Sequence, residues 1–388
     1  MSAVLHDAVT ELAPHVHYGD GEVRRLPSLV RELGAERVLL VCGRRSFERS
    51  GAAMVLPDLE AEAEVVRFSD YSPNTSIQDV ERGLVVLRRV RPDLVLAVGG
   101  GSSLDLAKLL CAFEEVSSDL PATVRAAEKV ISRRPGLVLV PTTSGSGSEA
   151  THFAVVYVDE QKHSIAGPGM LPDQVVLDPE LTRSGPAHVR ATSGIDAVCQ
   201  AIESMWAVGG TSESREHARL GLALSLDHLE AFVDDPQPEA ARGMCLGSHF
   251  AGCAINISKT TAAHALSYAL TLRHGITHGH AVALTLGHFI EAHVTTDPHD
   301  LQPDIDPRVH EQAMKQVLAA LGASDGPSAC ERFQGLLSRV GLDTSLSSLG
   351  VPRGELADLA ASVNVERLGN NPVVFDHKGL TAILRAAF

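Results

Sequence analysis

Residues 98–108 read VGGGSSLDLAK, a stretch that leads from a β-type apolar run through three glycines into a helix. Because glycine has no Cβ, the backbone here can approach a phosphate closely, and the helix start offers unpaired N–H groups at its positive end. Leu104 stands where the common dinucleotide fingerprint has its last glycine. We interpret the stretch as an anion-binding turn, although an ordinary glycine-rich turn has the same local pattern. Its candidate binding residues are Gly99, Gly100, Gly101, Ser102, Ser103 and Asp105.

The sequence around this turn alternates short Val- and Leu-rich runs with helical stretches, such as 77–89 and 103–113. The runs show no polar–apolar alternation, which is typical of parallel strands that are buried on both faces. Strand–helix–strand repetition at this spacing predicts a doubly wound parallel sheet. The predicted strands are 37–42, 63–68, 94–98, 137–140 and 174–177, with a hairpin of 153–158 and 163–166 around a polar turn at 159–162.

Helical periodicity, rich in alanine and leucine, dominates after about residue 186. We therefore expect an α/β domain in residues 1–186 and an all-helical domain in residues 187–388, with the cleft between them as the default ligand site. The predicted helices of the second domain are 194–206, 212–232, 238–258, 264–270, 278–294, 308–321, 326–340, 353–363 and 378–387.

The composition excludes several classes of protein. The 388 residues include 33 Lys and Arg against 48 Asp and Glu, a formal net charge of −15, and 44% are hydrophobic. That balance argues against disorder and against nucleic-acid binding, although a few local cations can still hold one small anion. No apolar run approaches the ~20 residues of a membrane helix, the first residues lack a signal-peptide pattern, and the six cysteines form no Cys-x-x-Cys pair. We expect a cytoplasmic protein that binds neither membranes nor nucleic acids.

Residues 141–149, PTTSGSGSE, form a second polar turn after a predicted strand. Their hydroxyls suit a diphosphate or a ribose, whereas the alternative is a capped helix start with Ser146 or Ser148 as the N-cap. Neighbouring parallel strands bring their carboxyl ends to one sheet edge, which favours the ligand-binding interpretation. The candidate residues are Thr142, Thr143 and Ser146.

A third turn, Gly43-Arg44-Arg45, ends the first predicted strand. Dinucleotide sites often have an acid at this place, where the 2′-hydroxyl of the adenosine binds. Glycine followed by two arginines suits a 2′-phosphate instead. The alternative is a pair of solvated surface arginines.

Four residues of the second half form a possible metal site. Asp196 and Gln200 are four residues apart, so one helix face presents both, while His264 and His278 lie near two later helix starts. A carboxylate with imidazoles suits a first-row divalent ion and leaves a position open for a substrate oxygen. With 18 histidines in the chain, each histidine could equally be a structural residue, and a neutral amide is a poor ligand.

Taken together and in this order, the motifs resemble those of the iron-containing (group III) alcohol dehydrogenases. The likeness rests on Gly99–Ser102 with Asp105 and Lys108, on Pro141-Thr142-Thr143 with Ser148 and Glu149, and on Asp196, His264 and His278-Gly279. It implies a Rossmann-like first domain, a helical second domain and a homodimer. It also implies a nicotinamide cofactor, NADPH or NADH, and a divalent metal, iron or zinc, that faces the reacting carbonyl. Gly43, Arg44 and Arg45 then favour NADPH.

Two positions depart from the usual pattern of the family. Gln200 stands in place of the second metal-binding histidine, which predicts weaker metal binding, and Tyr268 stands in place of a histidine thought to assist proton transfer. With the stretch Arg367-Leu368-Gly369-Asn370-Asn371-Pro372, these residues are similar to a narrower branch, the phosphonoacetaldehyde reductases. The predicted function is therefore reduction of a small aldehyde, with phosphonoacetaldehyde as the expected substrate.

That resemblance assigns candidate roles to several further residues. Tyr268, His280 and Lys259 are the candidates for polarising the carbonyl or delivering a proton to the alkoxide. Cations close to the site would bind a phosphonate, because arginine makes bidentate contacts to such oxygens. The candidates for substrate binding are Lys259, Arg273, Arg367, Asn370 and Asn371.

Other functions stay open on the sequence alone. One alternative is a plain alcohol dehydrogenase or a maleylacetate-type reductase, which shares the family motifs. Another, of a different class, is a homologue that has lost its metal and only binds a ligand, since Gln200 and Tyr268 both depart from the usual site. The motifs of the related dehydroquinate synthases are not found.

Overall fold

The computed structural model describes residues 3–116, 119–159, 161–363 and 368–388, and these form two compact units. The first unit runs to Pro186 and also contains Gln237–Cys245. The second comprises Ala187–Pro236 and Leu246–Phe388. Among the described residues, no helix has the length and the apolar character needed to cross a membrane.

A six-stranded sheet forms the centre of the first unit, in the order β1-β8-β5-β4-β2-β3, and every pair of neighbours is parallel. The parallel sheet predicted from the apolar runs is therefore confirmed. Its strands are β1 (Val16–Tyr18), β2 (Arg37–Cys42), β3 (Glu64–Phe68), β4 (Leu94–Gly99), β5 (Gly136–Pro141) and β8 (Gln174–Leu177). Strand β1, which the apolar runs did not indicate, adds a sixth strand at one edge.

Apart from Arg37 at the start of β2, the central strands β2, β4 and β5 carry no charged or polar side chain, because each strand serves two cores at once. In β2, Leu39 and Val41 belong to the core on one face of the sheet, whereas Val38, Leu40 and Cys42 belong to the core on the other. This is the physical reason for the missing alternation, since both faces are covered by helices. The helices of this unit are α1 (Ala3–Thr10), α2 (Leu26–Glu32), α3 (Ser46–Arg49), α4 (Leu56–Glu62), α5 (Ile77–Val90), α6 (Gly101–Ala112), α7 (Leu120–Ala126) and α8 (Pro179–Arg183).

The predicted hairpin is present as β6 (Phe153–Val158) and β7 (Gln161–Ala166), which pair antiparallel. Its second strand begins earlier than predicted, because Gln161 and Lys162 pair with Val158 and Tyr157 instead of forming the turn. Polar side chains led to the wrong boundary, although one face of a two-stranded ribbon can remain polar. Glu160, within the predicted turn, lies outside the described residues.

The described residues of the second unit form helices and connecting loops without a strand, apart from an isolated bridge between Leu301 and Val373. Its first helix begins at Ala187 rather than at Gly194, because the hydroxyls of Thr192 and Ser193 donate to carbonyls one turn earlier and so do not cap a helix start. Its helices are α9 (Ala187–Trp206), α10 (Ser212–Asp234), α11 (Pro238–Ser258), α12 (Ala262–His274), α13 (His278–Thr295), α14 (Pro307–Leu321), α15 (Gly326–Arg339), α16 (Leu356–Ala361) and α17 (His377–Ala386). The start of α11 belongs to the first unit.

Candidate functional site

The glycine-rich turn and the second polar turn pack against each other at the carboxyl ends of β4 and β5. The amide of Thr142 donates to the carbonyl of Gly99 at 2.9 Å. A Cβ on Gly100 would lie 3.3 Å from the hydroxyl of Thr143, and one on Gly101 would lie 2.8 Å from that of Ser146. A side chain at Gly101 would therefore displace Ser146 of the second turn, and the glycine-rich turn leads directly into α6, whose first residue is Gly101. This cradle fits a diphosphate at the start of a twelve-residue helix.

Two charged residues of α6, the half-buried Asp105 and the buried Lys108, hold the second turn in place. Asp105 accepts hydrogen bonds from the hydroxyl of Ser148 at 2.5 Å and from the amide of Val155 at 2.9 Å. Lys108, which is fully buried, donates to the carbonyls of Ser148, Thr151 and Phe153. Burial lowers the pKa of Lys108 to about 8, and the nearby acids oppose that shift. Both carboxylate oxygens of Asp105 thus contact the protein itself.

A segment that the sequence analysis did not single out covers the glycine-rich turn. The hydroxyl of Tyr71 lies 2.7 Å from that of Ser103, and burial raises the pKa of Tyr71 to about 12. The hydroxyl of Ser102 accepts from the amide of Asn74 at 3.2 Å, and its carbonyl accepts from the hydroxyl of Thr75 at 3.1 Å. The side chains of Ser102 and Ser103 therefore orient this segment.

Both arginines of the turn after β2 are exposed, and Arg44 also forms an ion pair. Arg44 and Asp70, both exposed, form an ion pair at 2.7 Å, and Arg44 also donates to the carbonyl of Ser69. A Cβ on Gly43 would lie 2.2 Å from the hydroxyl of Ser46, which would have to rotate away to admit a larger residue. Arg45 is exposed. A surface groove beside this turn is lined by Arg44, Arg67, Phe68, Ser69 and Asp70.

Three of the four predicted metal ligands meet within the second unit. Asp196, His264 and His278 each offer one ligand atom, and these atoms all lie within 4.8 Å of one another. Nε2 of His264 lies 3.4 Å from Oδ1 of Asp196, is buried, and makes no hydrogen bond within the described residues. Burial disfavours a proton on this imidazole, but Glu203 and Asp196 together outweigh burial and raise its pKa to about 10. Acids that attract a positive charge to this point fit a divalent cation.

A glycine permits this meeting of α9 and α13. A Cβ on Gly279 would lie 2.1 Å from the carbonyl oxygen of Thr192 and 2.7 Å from Cβ of Asp196. Only a residue without a side chain can occupy this place, directly after His278. Close backbone contact at Gly279 therefore brings His278 to the ligand atoms of Asp196.

The fourth candidate, Gln200, lies one turn after Asp196 on the same face of α9. Its Nε2 donates to Oδ2 of Asp196 at 3.1 Å. Both side chains are buried. The amide is thus placed beside the three ligand atoms and orients one of them.

Two further residues, Glu203 and Ser267, contact the Nδ1 atoms of the two imidazoles. Nδ1 of His264 hydrogen bonds to Oε2 of Glu203, and Nδ1 of His278 lies 3.3 Å from the hydroxyl of Ser267. Metal-binding histidines in proteins generally make such a bond through the second ring nitrogen. Sequence reasoning did not single out Glu203, although its position seven residues after Asp196 places it on the same helix face.

The predicted catalytic side chains are in different surroundings. The ring of Tyr268 stacks on that of His278, with centroids 5.9 Å apart and planes at 15°. His280 is buried and its Nε2 donates to the carbonyl of Asp343 at 2.8 Å, while burial lowers its pKa. Lys259 is exposed and has a φ of 59°, a left-handed conformation at the end of α11. Of the three, Tyr268 is in contact with a predicted metal ligand.

The predicted substrate-binding residues also lie in different surroundings: two asparagines hydrogen bond to the backbone, and one arginine is exposed. Asn370 donates to the carbonyls of Ser258 and Thr260, on either side of Lys259. Asn371 is buried and donates to the carbonyl of Val373. Arg273 is exposed in the last turn of α12. Arg367 lies outside the described residues.

Comparison with known proteins covers both halves of the chain. Residues 13–179 match the family described as iron-containing alcohol dehydrogenase, and residues 190–388 match the C-terminal region of the Fe-containing alcohol dehydrogenase family. A phosphonoacetaldehyde reductase from Streptomyces viridochromogenes is 33% identical over 77% of this chain and 77% of its own length. A maleylacetate reductase from Sphingobium indicum is 28% identical over 96% of this chain and 94% of its own.

Among solved structures, the chain is similar to sulfoacetaldehyde reductase from Bifidobacterium kashiwanohense, determined in complex with NAD⁺. The TM-score is 0.85 at 27% sequence identity, and 96% of each chain is covered. The predicted fold class, a Rossmann-like parallel-sheet domain followed by a helical domain, is thereby confirmed.

Proposed function

The chain belongs to the iron-containing alcohol dehydrogenase family and is an oxidoreductase, and on that premise we propose that it reduces phosphonoacetaldehyde to 2-hydroxyethylphosphonate. The observation that carries a reductive role is the group of ligand atoms on the buried Asp196 and His264 and the half-buried His278. The substrate is inferred from the similarity to phosphonoacetaldehyde reductase. When bound, a reduced nicotinamide supplies the hydride and a divalent ion polarises the aldehyde oxygen.

The chain's own residues prepare the two binding sites. The backbone at Gly99–Ser103 would bind the cofactor diphosphate at the start of α6, with the hydroxyls of Thr142, Thr143 and Ser146 beside it. Asp196, His264 and His278 would hold the ion, with Gln200 as a weak fourth ligand. Gly279 keeps the backbone of α13 close enough to α9 for His278 to contribute.

Proton delivery to the alkoxide falls to Tyr268, His280 or water. The Tyr268 ring stacks on the ring of His278, which places Tyr268 next to a proposed metal ligand. His280 already donates its Nε2 proton to the carbonyl of Asp343 and would have to break that bond first. We therefore favour Tyr268 or water over His280.

Lys259 is the cation we propose for the phosphonate. The side-chain amide of Asn370 donates to the carbonyls of Ser258 and Thr260, so the backbone is held on both sides of the exposed Lys259. The loop at Lys259 continues into α12, which begins at Ala262 and carries His264. A positive charge close in sequence to a metal ligand suits an aldehyde with an anionic group on the next carbon.

NADPH oxidation should be measured with phosphonoacetaldehyde, lactaldehyde, acetaldehyde and maleylacetate, with and without added iron or zinc. We expect the highest kcat/KM for phosphonoacetaldehyde and a requirement for the metal. Lys259→Ala should raise KM for phosphonoacetaldehyde at least tenfold more than KM for acetaldehyde, whereas Lys378→Ala, at another exposed lysine, should change neither. Equal effects of Lys259→Ala on both aldehydes would remove the phosphonate assignment.

A second candidate, maleylacetate reduction, is favoured by a relative that matches nearly the whole chain, a maleylacetate reductase. The same panel decides between the two, because a preference for maleylacetate replaces the phosphonate assignment while keeping the family chemistry. The homodimer and the cytoplasmic location stay predictions.

A further inference from the structure

Glu203 is a fully buried carboxylate on the face of α9 that also carries Asp196 and Gln200. Spacings of four and seven residues along a helix bring side chains to one face. A buried carboxylate is strongly destabilising unless donors surround it. Glu203 therefore needs its partners, and they all come from the start of α12.

The two oxygens of the Glu203 carboxylate contact different groups: one the start of α12 and the other the ring of His264. Oε1 accepts from the amides of Thr261 and Ala263, at 3.2 and 3.0 Å, and from the hydroxyl of Thr261 at 2.6 Å. These contacts cap the first turn of α12, where unpaired N–H groups favour a negative charge. Oε2 instead contacts Nδ1 of His264. One side chain thus fixes both the helix start and the imidazole ring that the helix carries.

The ring contact determines which nitrogen is available to a metal. A carboxylate only accepts hydrogen bonds, so Nδ1 of His264 must carry the hydrogen. In the neutral ring, the lone pair is then on Nε2, the atom that lies 3.4 Å from Oδ1 of Asp196. Once a cation displaces the second proton of the ring, the orientation and the tautomer both point the Nε2 lone pair toward the other ligand atoms.

We propose that Glu203 is a positioning residue for metal binding, which holds His264 in the orientation and tautomer that put Nε2 beside Asp196 and His278. This inference rests on the proposed function, because it takes those three residues as the metal ligands. It adds a role for a residue that does not itself touch the ion.

Glu203→Gln separates the two roles of the carboxylate. The amide oxygen of glutamine can still accept from the start of α12, so the cap is kept. The amide NH₂ then replaces Oε2 and can only donate to Nδ1, which moves the ring hydrogen to Nε2. We expect the variant to remain folded, with a melting temperature within a few degrees of the wild type, and to bind Zn²⁺ or Co²⁺ about ten- to a hundredfold more weakly.

The dissociation constant should be measured by competition with a chelating indicator, without cofactor or substrate, and the visible spectrum of bound Co²⁺ should be recorded. Asp79→Asn is the matched control, because Asp79 is a buried capping carboxylate of α5 in the other unit. It should lower stability and leave metal affinity within about twofold. Wild-type affinity and an unchanged Co²⁺ spectrum in folded Glu203→Gln would overturn the proposal.

A measurement on the unaltered chain tests the same claim without any variant. In the zinc-loaded protein with ¹⁵N-labelled histidine, His264 should show a hydrogen on Nδ1 and zinc on Nε2, and the reverse assignment would overturn the proposal. If the wild-type chain binds no stoichiometric metal, the proposed metal site fails as well. If it binds metal and Glu203→Gln binds equally, only the role of Glu203 fails.

Discussion

The side-chain amide of Gln200 donates a 3.1 Å hydrogen bond to Oδ2 of Asp196, one turn earlier on α9. The amide nitrogen is therefore turned toward a predicted ligand, where an imidazole could offer a lone pair to the ion. We expect Gln200→His to tighten Zn²⁺ binding at least tenfold, because imidazole is a much better zinc ligand than a neutral amide. Chelator competition gives the affinity of each variant.

Gln200→Leu is the control for this change, since leucine has a similar volume and neither donates nor binds metal. It leaves Oδ2 of Asp196 without the amide donor, so metal affinity should fall below that of the wild type. If Gln200→His binds zinc no more tightly than the wild type, the amide is not what limits affinity.

Close contact at Gly279 makes a second prediction. In Gly279→Ala the new Cβ would lie 2.1 Å from the carbonyl oxygen of Thr192, so the start of α13 must move away from α9. His278 would move with it, and we expect metal affinity to fall at least tenfold together with a lower melting temperature. Gly354→Ala is the control, because a Cβ on Gly354 meets nothing within 4 Å. An unchanged affinity in Gly279→Ala would show that this contact does not position His278.

The sequence predicts those parts of the fold that local patterns determine. Strand β4 and the glycine-rich turn were predicted because an apolar run and three glycines are adjacent in the chain. Strand β1 was missed because three residues at a sheet edge show no periodicity. The start of α9 was misplaced because Thr192 and Ser193 can either cap a helix or bond back within one, and only the surrounding backbone decides.

In the candidate site, too, the residues of sequence motifs could be predicted, whereas contacts between distant segments could not. The family motifs indicated Asp196, His264 and His278, and the structure brings these three together. The seven-residue spacing from Asp196 indicates the helix face of Glu203 but not its contact with His264. The contacts of Glu203 and Tyr71 could not be predicted, because each is made to a segment distant in the chain, the start of α12 and the turn at Ser103. Such pairings follow from packing between elements, which no local spacing shows.

A third prediction concerns the buried ammonium of Lys108. Lys108→Met would leave the carbonyls of Ser148, Thr151 and Phe153 without their donor and Asp105 without its positive neighbour. We expect the free energy of unfolding to fall by about 3 kcal/mol or more, as when one partner of a buried charge pair is removed. Because the second polar turn would loosen, KM for the cofactor should also rise. Urea unfolding and steady-state kinetics check the two effects, with the exposed Lys378→Met as control.

A fourth prediction uses the ion pair between Arg44 and Asp70. If Arg44 binds the 2′-phosphate of NADPH, Arg44→Ala should lower kcat/KM for NADPH about tenfold and leave that for NADH within about twofold. Asp70→Asn should act in the opposite direction, because it removes the carboxylate that now pairs with Arg44. That gain should be fivefold at most, since exposed pairs contribute up to about 1 kcal/mol. A clear NADH preference in the wild type would contradict the assignment.

Acid stability supplies the fifth prediction, through His293. This residue of α13 is buried, stacks on Trp206 with centroids 4.4 Å apart, and has Nδ1 3.2 Å from Nε2 of His310. Burial, and then repulsion by His310, lower its pKa to about 3, although Asn371 opposes the shift. Between pH 6.5 and 3 the unfolded chain therefore binds the additional proton, and the stability contributed by neutral His293 is lost as the pH falls through this window.

The slope from His293 should be up to about 1.4 kcal/mol per pH unit, and His293→Gln should remove it. Urea unfolding at several pH values can be followed by the fluorescence of Trp206, the only tryptophan, which contacts the histidine directly. His299→Gln, at an exposed histidine, should leave the slope unchanged. Equal slopes in the wild type and His293→Gln would mean that the folded chain can bind this proton, and burial of the ring would then not account for the loss of stability in acid.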